Sequence, residues 1–499
     1  MIQQTGYSRV FLIENRAGPI NIPSYEGFWM AGSISWPQGD IIPTLSPVEN
    51  SENEFIITGI ERGAKGLPSI PITARYTQDR SKLLQLARTG CPFDLQIHMG
   101  NCNNPSDFNG GWEKIVVLEN AFIESYTTGD LGTLSPSGRA TVDEVVPMVG
   151  ENLFEILKQS FEIKAASQIV QEIRSVVICD AITCAACGLS SSGCDIVFAV
   201  TVSAGGSPGL PGEIIFTSDG GETWRDTLID TLAPSEDASG SPSLACVGQR
   251  LVVVSQTAGS IHYAPIAGIL AGTEVWTENA SGLTVPTGSP RRIFSLSPAH
   301  TWVFGAGGYI YFYENITGSP VTQSAGTVTT QLFSGVHGID ILNLVAVGTS
   351  NAVVYTRDGG QTWTAIVGPT PGFNLNTIWM QSRDVWFVGS ENGRLYYTYN
   401  AGITWTEKLV PNNGIGGIIY IVFANRTIGY MARNTGTISM LYRTIDGGNS
   451  WYIAPEMGTM PASALLRSIA VCERNSNVVY LGGLAIGSVD GILIKGDVL

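Results

Sequence analysis

The chain has 499 residues, enough for two or three domains with sizeable cores. With 59 glycines and only 14% charged residues it describes a β-rich globular protein with tight turns. A formal charge of −15 argues against a nucleic-acid-binding face or an anionic-membrane anchor.

The N-terminus, MIQQTGYSRVFLIENRAG, lacks a basic leader followed by an apolar run and a small-residue cleavage site. No stretch reaches 18 consecutive apolar residues. These features predict a chain made and folded in the cytoplasm, with no membrane span.

Residues 1–165 read as an N-terminal β-sandwich. YSRVFLIE, GFWMAGSISW, EFIITGIE, SIPITARY, FDLQIHMG and EKIVVLENAFIESY have the aromatic and β-branched content and partial alternation of strands. One helix is predicted from Asp79, a natural N-cap, through Leu83, Leu84 and Leu86 to Gly90. A second is predicted in ENLFEILKQSFEIKAA, residues 151–166.

The segment PITARYTQDRSKLLQLARTGCPFDLQIHMGN, followed by WEKIVVLENAFIESYTTG and RATVDEVVPMVG, resembles the tail tube proteins of long-tailed bacteriophages. The resemblance implies a structural virion protein that self-assembles as homo-hexameric rings stacked into a viral tail tube. DNA would pass the lumen without specific binding, and the protein would be located in the virion tail after assembly in the host cytoplasm. In that family a long loop reaches the neighbouring ring; Pro37 to Glu54 is the expected counterpart.

Between the two halves, Cys179, Cys184, Cys187 and Cys194 fall within CDAITCAACGLSSSGC. Local disulfides, reduced thiols and a metal site all remain open, although the spacing lacks the paired CxxC of a zinc ribbon. Cys246 and Cys472 sit in apolar strands and read as buried, inert thiols. Cys91 and Cys102 flank DLQIHMG, and a pairing across a hairpin is left open.

From about residue 170 the chain repeats. TSDGGETW returns as TRDGGQTW, TYNAGITW and TIDGGNSW. The positions shared are Thr217, Asp219, Gly221 and Trp224; Thr356, Asp358, Gly360 and Trp363; Thr398, Asn400, Gly402 and Trp405; Thr444, Asp446, Gly448 and Trp451. The acid or amide can fold back onto backbone N–H groups, the glycines accept positive φ, and the Trp buries apolar surface. Such a box is a rigid turn with no chemistry of its own.

Short strands beginning at Gly212, Gly259, Gly308, Asn351, Gly393, Ser439 and Gly491 count seven units of about 46 residues, the length of a four-stranded propeller blade. The last unit lacks an outer strand, and residues 173–178 are expected to supply it. Residues 170–499 are therefore read as a seven-bladed β-propeller. The boxes resemble the Asp-box (BNR) repeats of sialidase-type propellers, sortilin-like receptors and photosystem assembly factors.

No catalytic, cofactor or metal site is expected, and the chain is read as not an enzyme. The Arg-Ile-Pro element of sialidases is absent from the first blade; the nearest arginine is Arg174, and Arg291 and Arg292 read as solvated loop residues. His98, His262, His300 and His337 form no HExxH or HxH pattern, and no phosphate-binding glycine loop occurs. The alternative to a tail tube is a propeller that binds host-surface glycans or proteins without tube assembly. A sialidase-like glycoside hydrolase stands third.

Overall fold

The computed structural model describes residues 7–14, 25–27, 29–31, 43–49, 55–62, 69–75, 92–100, 114–123, 143–150, 152–157, 159–163, 172–179, 194–202, 213–227, 243–255, 260–283, 290–411, 414, 416–435, 439–453, 464–472, 475–485 and 491–498. Two compact units emerge, Met1–Lys158 and Gln159–Leu499.

In the first unit the strands follow one another across a sheet in the order Tyr25–Gly27, Tyr7–Glu14, Phe93–Gly100, Lys114–Ile123, Asp143–Val149, Ser69–Arg75 and Trp29–Ala31. Asn152–Leu157 pairs beside this path onto Lys114–Ile123. Successive strand residues point to opposite faces, and Val116 and Val117 are both fully buried, so both faces of that central strand are covered.

Two expectations change. The helix expected in residues 151–166 is two strands, Asn152–Leu157 and Gln159–Ile163. Phe154 and Ile156, then Phe161 and Ile163, recur with a period of two. Each strand also completes the hydrogen bonding of an edge, which outweighs the helix propensity of Glu, Leu and Lys. The loop expected from Pro37 to Glu54 contains a strand, Pro43–Glu49, paired antiparallel with Phe55–Arg62. The helix expected from Asp79 to Gly90 lies outside the described residues.

The second unit contains seven four-stranded antiparallel sheets among the described residues. Their first strands, here called inner, are Glu172–Ile178, Ser243–Val247, Pro290–Ser297, Phe333–Gly338, Leu375–Met380, Gly417–Phe423 and Ala464–Val471. Each inner strand meets the next, and the last meets the first. Apolar clusters fill the spaces between neighbouring sheets, as where Val345, Val347 and Val353 of the fourth sheet pack on Leu375, Ile378 and Trp386 of the fifth. This is a β-propeller.

Side-chain hydrogen bonds tie successive inner strands. Ser175 Oγ accepts the Leu244 N–H, Ser243 Oγ that of Ile293, Thr377 Oγ1 that of Ile421, and Ser468 Oγ that of Val176. The last sheet is Ala464–Val471, Val479–Ala485, Gly491–Val498 and, as its outer strand, Gln159–Ile163. Closure by a segment preceding the first sheet is thus present, but that segment is not 173–178. Residues 173–178 form the inner strand of the first sheet, where the apolar Ile173 and Val176 are buried against the last one.

Candidate functional site

The four boxes share one geometry. Thr217 Oγ1 donates to Asp219 Oδ1 at 2.7 Å while accepting the Gly221 N–H at 3.0 Å. Asp219 Oδ1 accepts the Thr223 N–H at 2.9 Å, and the Thr223 hydroxyl donates to Oδ2. Thr356, Asp358, Gly360 and Thr362 repeat these bonds, as do Thr444, Asp446, Gly448 and Ser450. In the fifth sheet Thr398 Oγ1 donates to Asn400 Oδ1 and accepts the Gly402 N–H in the same way. Gly221, Gly360, Gly402 and Gly448 all have positive φ, which the turn requires.

The residue after each acid or amide fixes the box to its own sheet. Gly220 N donates to Asp195 O, Gly359 N to Leu342 O, Ala401 N to Asp384 O, and Gly447 N to Thr427 O. Burial pushes the Asp219 carboxyl upward, but hydrogen bonds from Thr223, Thr217 and the backbone outweigh it and bring the pKa down to about 2. In the sixth sheet burial wins and raises Asp446, with Lys408 of the fifth sheet acting in the opposite sense.

Trp363 and Trp451 are buried, whereas Trp224 and Trp405 are half-buried. Trp363 Nε1 donates to Gln323 Oε1 of the third sheet, and Trp405 Nε1 to Val367 O of the fourth. These two indoles therefore link neighbouring sheets as well as covering their own turns.

The seam between the last and first sheets carries an ion triad. Glu172 accepts from Arg467 Nε at 2.5 Å and pairs with Arg174 Nη2 at 2.7 Å. Tyr480 OH donates to Gly220 O at 2.9 Å. Two disulfides join the first sheet to both neighbours: Cys194 to Cys472 of the last sheet, and Cys179 to Cys246 of the second. A local disulfide between these two members of the cysteine cluster, and inert thiols at Cys246 and Cys472, are both corrected. Propeller closure brings into contact cysteines that are 278 residues apart in the chain. Cys184 and Cys187, like Cys91 and Cys102, lie outside the described residues.

Six inner strands carry an irregularity at the same place, with the extra residue being Arg174, Arg291, Ser334, Asn376, Ile419 or Arg467. A bulge re-aims a side chain, and here the repetition gathers polar groups at one end of the inner strands. Arg292 Nε donates to Ser334 O, and Asn376 Nδ2 to Ile418 O. Arg291 and Arg292 belong to an inner strand, not to a solvated loop, and burial lowers the Arg292 pKa. Of these guanidinium groups, Arg174 and Arg467 share Glu172 and Arg292 is held by a backbone carbonyl, so they tie the inner strands together. The signal was present in Ile-Arg-Ser at 173–175 and Leu-Arg-Ser at 466–468, which occupy equivalent places.

The histidines stay apart in role. His337 Nδ1 accepts the Met380 N–H, its ring lies 3.7 Å from that of Trp379, and burial holds its pKa down to about 3. His262 contacts Ser260 Oγ at 3.1 Å and His300 contacts Ser297 Oγ at 2.8 Å. Among the described residues no cluster of His, Cys, Asp or Glu could hold a metal ion, and no helix is long and apolar enough to cross a membrane.

Comparison with known proteins supports the Asp-box propeller family for the second unit. A family model described as the photosynthesis system II assembly factor YCF48 matches residues 329–489. The photosystem II assembly lipoprotein Ycf48 of Synechococcus sp. (strain CC9902) is 27% identical over 145 residues, 28% of this chain and 40% of that protein. Sialidase 85-1.1 of Trypanosoma cruzi is 24% identical over 217 residues, 36% of this chain and 28% of that protein. The chain thus spans less than half the length of either relative. Virginiamycin B lyase from Staphylococcus aureus superposes with a TM-score of 0.50 at 13% identity, covering 68% of this chain and 100% of that one, a likeness of fold alone.

These findings overturn the tail-tube reading and what it implied. What the second unit matches is a photosystem II assembly-factor model and a photosystem II assembly lipoprotein, not a structural virion protein or a phage tail component. The homo-hexameric rings around a DNA lumen and the place in the virion tail rested on that resemblance and fall with it. The resemblance rested on the strand order of a β-sandwich, which unrelated proteins share. The alternative, a glycan- or protein-binding adhesin propeller without tube assembly, is closer to these matches but is not what they show.

Proposed function

We propose that the chain is a non-catalytic assembly factor of the Ycf48 type, whose propeller holds a protein partner while a photosystem II-like complex is built. The family match across residues 329–489 carries this reading, and the 27% identity to the Synechococcus lipoprotein supports it. Two disulfides between sheets suit an oxidising compartment, unlike the cytoplasm expected from the sequence.

The sialidase relative does not bring an enzyme with it. Arg174 and Arg467 are engaged with Glu172 in the seam. The test is to recover the tagged protein from its native cells by native electrophoresis and to assay it against a labelled sialoside. Co-migration with a partially built photosystem complex and no turnover are expected. Turnover of the sialoside, or absence from every assembly intermediate, would overturn the proposal.

A further inference from the structure

At the end of the inner strands away from the arginines, the third to fifth sheets expose apolar side chains. Within the boxes, the position that holds Glu222, Gln361 and Asn449 holds Ile403 in the fifth sheet, 83% exposed. Beside it, the turn after the fourth inner strand exposes Ile339, Ile341 and Leu342. Leu296, also exposed, stands on the third inner strand five residues after its bulge, the place Ile339 holds after the bulge of the fourth. The two strands abut there, with Phe294 and His337 ring centroids 5.6 Å apart.

This surface is rigid. Asp340 Oδ1 accepts the N–H groups of Leu342 and Asn343 at 2.8 Å, and Asn343 Nδ2 donates to both carboxylate oxygens. Leu342 O accepts from Gly359. Arg357 bonds to Asn343 Oδ1, Arg383 O and Asp384 Oδ1, and Asp384 O accepts from Ala401, two residues before Ile403. The turn of the fourth sheet, its box and the box of the fifth are thus one hydrogen-bonded body. The backbone needs no further ordering on binding, which leaves the side chains as the main ordering cost.

We propose that this face docks an amphipathic segment of a partner protein that carries apolar side chains flanked by basic ones. Isolated exposed leucines need no explanation, but apolar residues on three adjacent sheets, held rigid, mark an interaction site. The rim gives the sign: Asp340, Asp358 and Asp384 stand around the patch against Arg357 and Arg383, and Arg357 is engaged with Asp384. The chain's charge of −15 adds to the same preference. The surface is separate from the arginine-lined end and does not depend on the assembly-factor reading.

The test uses the full chain and two synthetic helical peptides of matched spacing, one of leucine and lysine and one of leucine and glutamate. The leucine–lysine peptide is expected to bind, to slow hydrogen exchange in residues 338–343 and 400–405, and to lose affinity about tenfold in the variant Ile341→Ser/Ile403→Gln. That variant should keep the parent circular dichroism and melting temperature, because both side chains are exposed. Equal binding of the two peptides, protection elsewhere, or unchanged affinity of the variant would overturn the proposal. Concentration-dependent dimerisation of the chain that the same variant abolishes would also overturn it, by assigning the face to a second copy.

Discussion

Asn400 Nδ2 donates to the Thr404 hydroxyl at 2.9 Å, the reverse of the bond by which the Thr362 hydroxyl donates to Asp358 Oδ2 at 2.6 Å. One box has thus kept its geometry while exchanging a carboxylate for an amide, because a hydroxyl can donate or accept. The pH response of the boxes should therefore be separable from their fold. Asn400→Asp is expected to fold normally at neutral pH, with the Thr404 hydrogen turned toward the new carboxylate. Thermal melts should show a fresh loss of stability below about pH 4, the ordinary carboxylate range, which the parent fifth box lacks.

Asp219 gives the converse. Its folded pKa of about 2 lies below the ordinary 3.8, so its contribution is present above the unfolded value and is lost as pH falls from 3.8 toward 2. Asp219→Asn should flatten the acid limb of the stability curve in that window. Because Asp219 is exposed, the change should be small, and an acid limb identical to the parent's would show that the box carboxylate contributes nothing.

Trp363 is 9% exposed and packs edge-on to Phe304 of the third sheet with ring centroids 5.8 Å apart. Trp363→Ala should cost about 3–5 kcal/mol in denaturant titration, since it leaves a cavity and deprives Gln323 of its donor. Trp405→Ala, at a half-buried site, should cost less. A larger loss at Trp405 would contradict the burial argument.

Removal of the outer strand tests closure. A truncation beginning at residue 159 keeps Gln159–Ile163 to pair with Gly491–Val498, whereas one beginning at residue 172 leaves that edge bare. The first should remain monodisperse by light scattering and the second should aggregate. Equal behaviour would show that this strand does not protect the edge.

The boxes, the four-stranded units and closure from the N-terminal side were legible because they rest on local turn chemistry and on a repeat. Which segment closes the sheet was not. Ile173–Ile178 and Gln159–Ile163 are both β-compatible, and only tertiary pairing decides between them. Residues 151–166 read as a helix because the helix formers there are strong, yet two unpaired edges claimed the backbone. The partners of Cys194 and Cys179 were illegible for the same reason, since nothing local points to residues 472 and 246. The ring of bulges is invisible to periodicity, although the two Arg-Ser pairs at 174–175 and 467–468 marked it. The strand order of residues 1–165 misled about function because a strand order fixes no chemistry.

Mapping of disulfides in a non-reduced digest is the most direct test of the closed propeller. Cys194 and Cys472 are 278 residues apart, yet their Cα atoms lie 5.8 Å apart only because the last sheet packs on the first. Peptides linking Cys194 to Cys472 and Cys179 to Cys246 are predicted as the dominant species. Linkage of Cys194 or Cys179 to Cys184 or Cys187 instead would contradict the seam and the closure built on it.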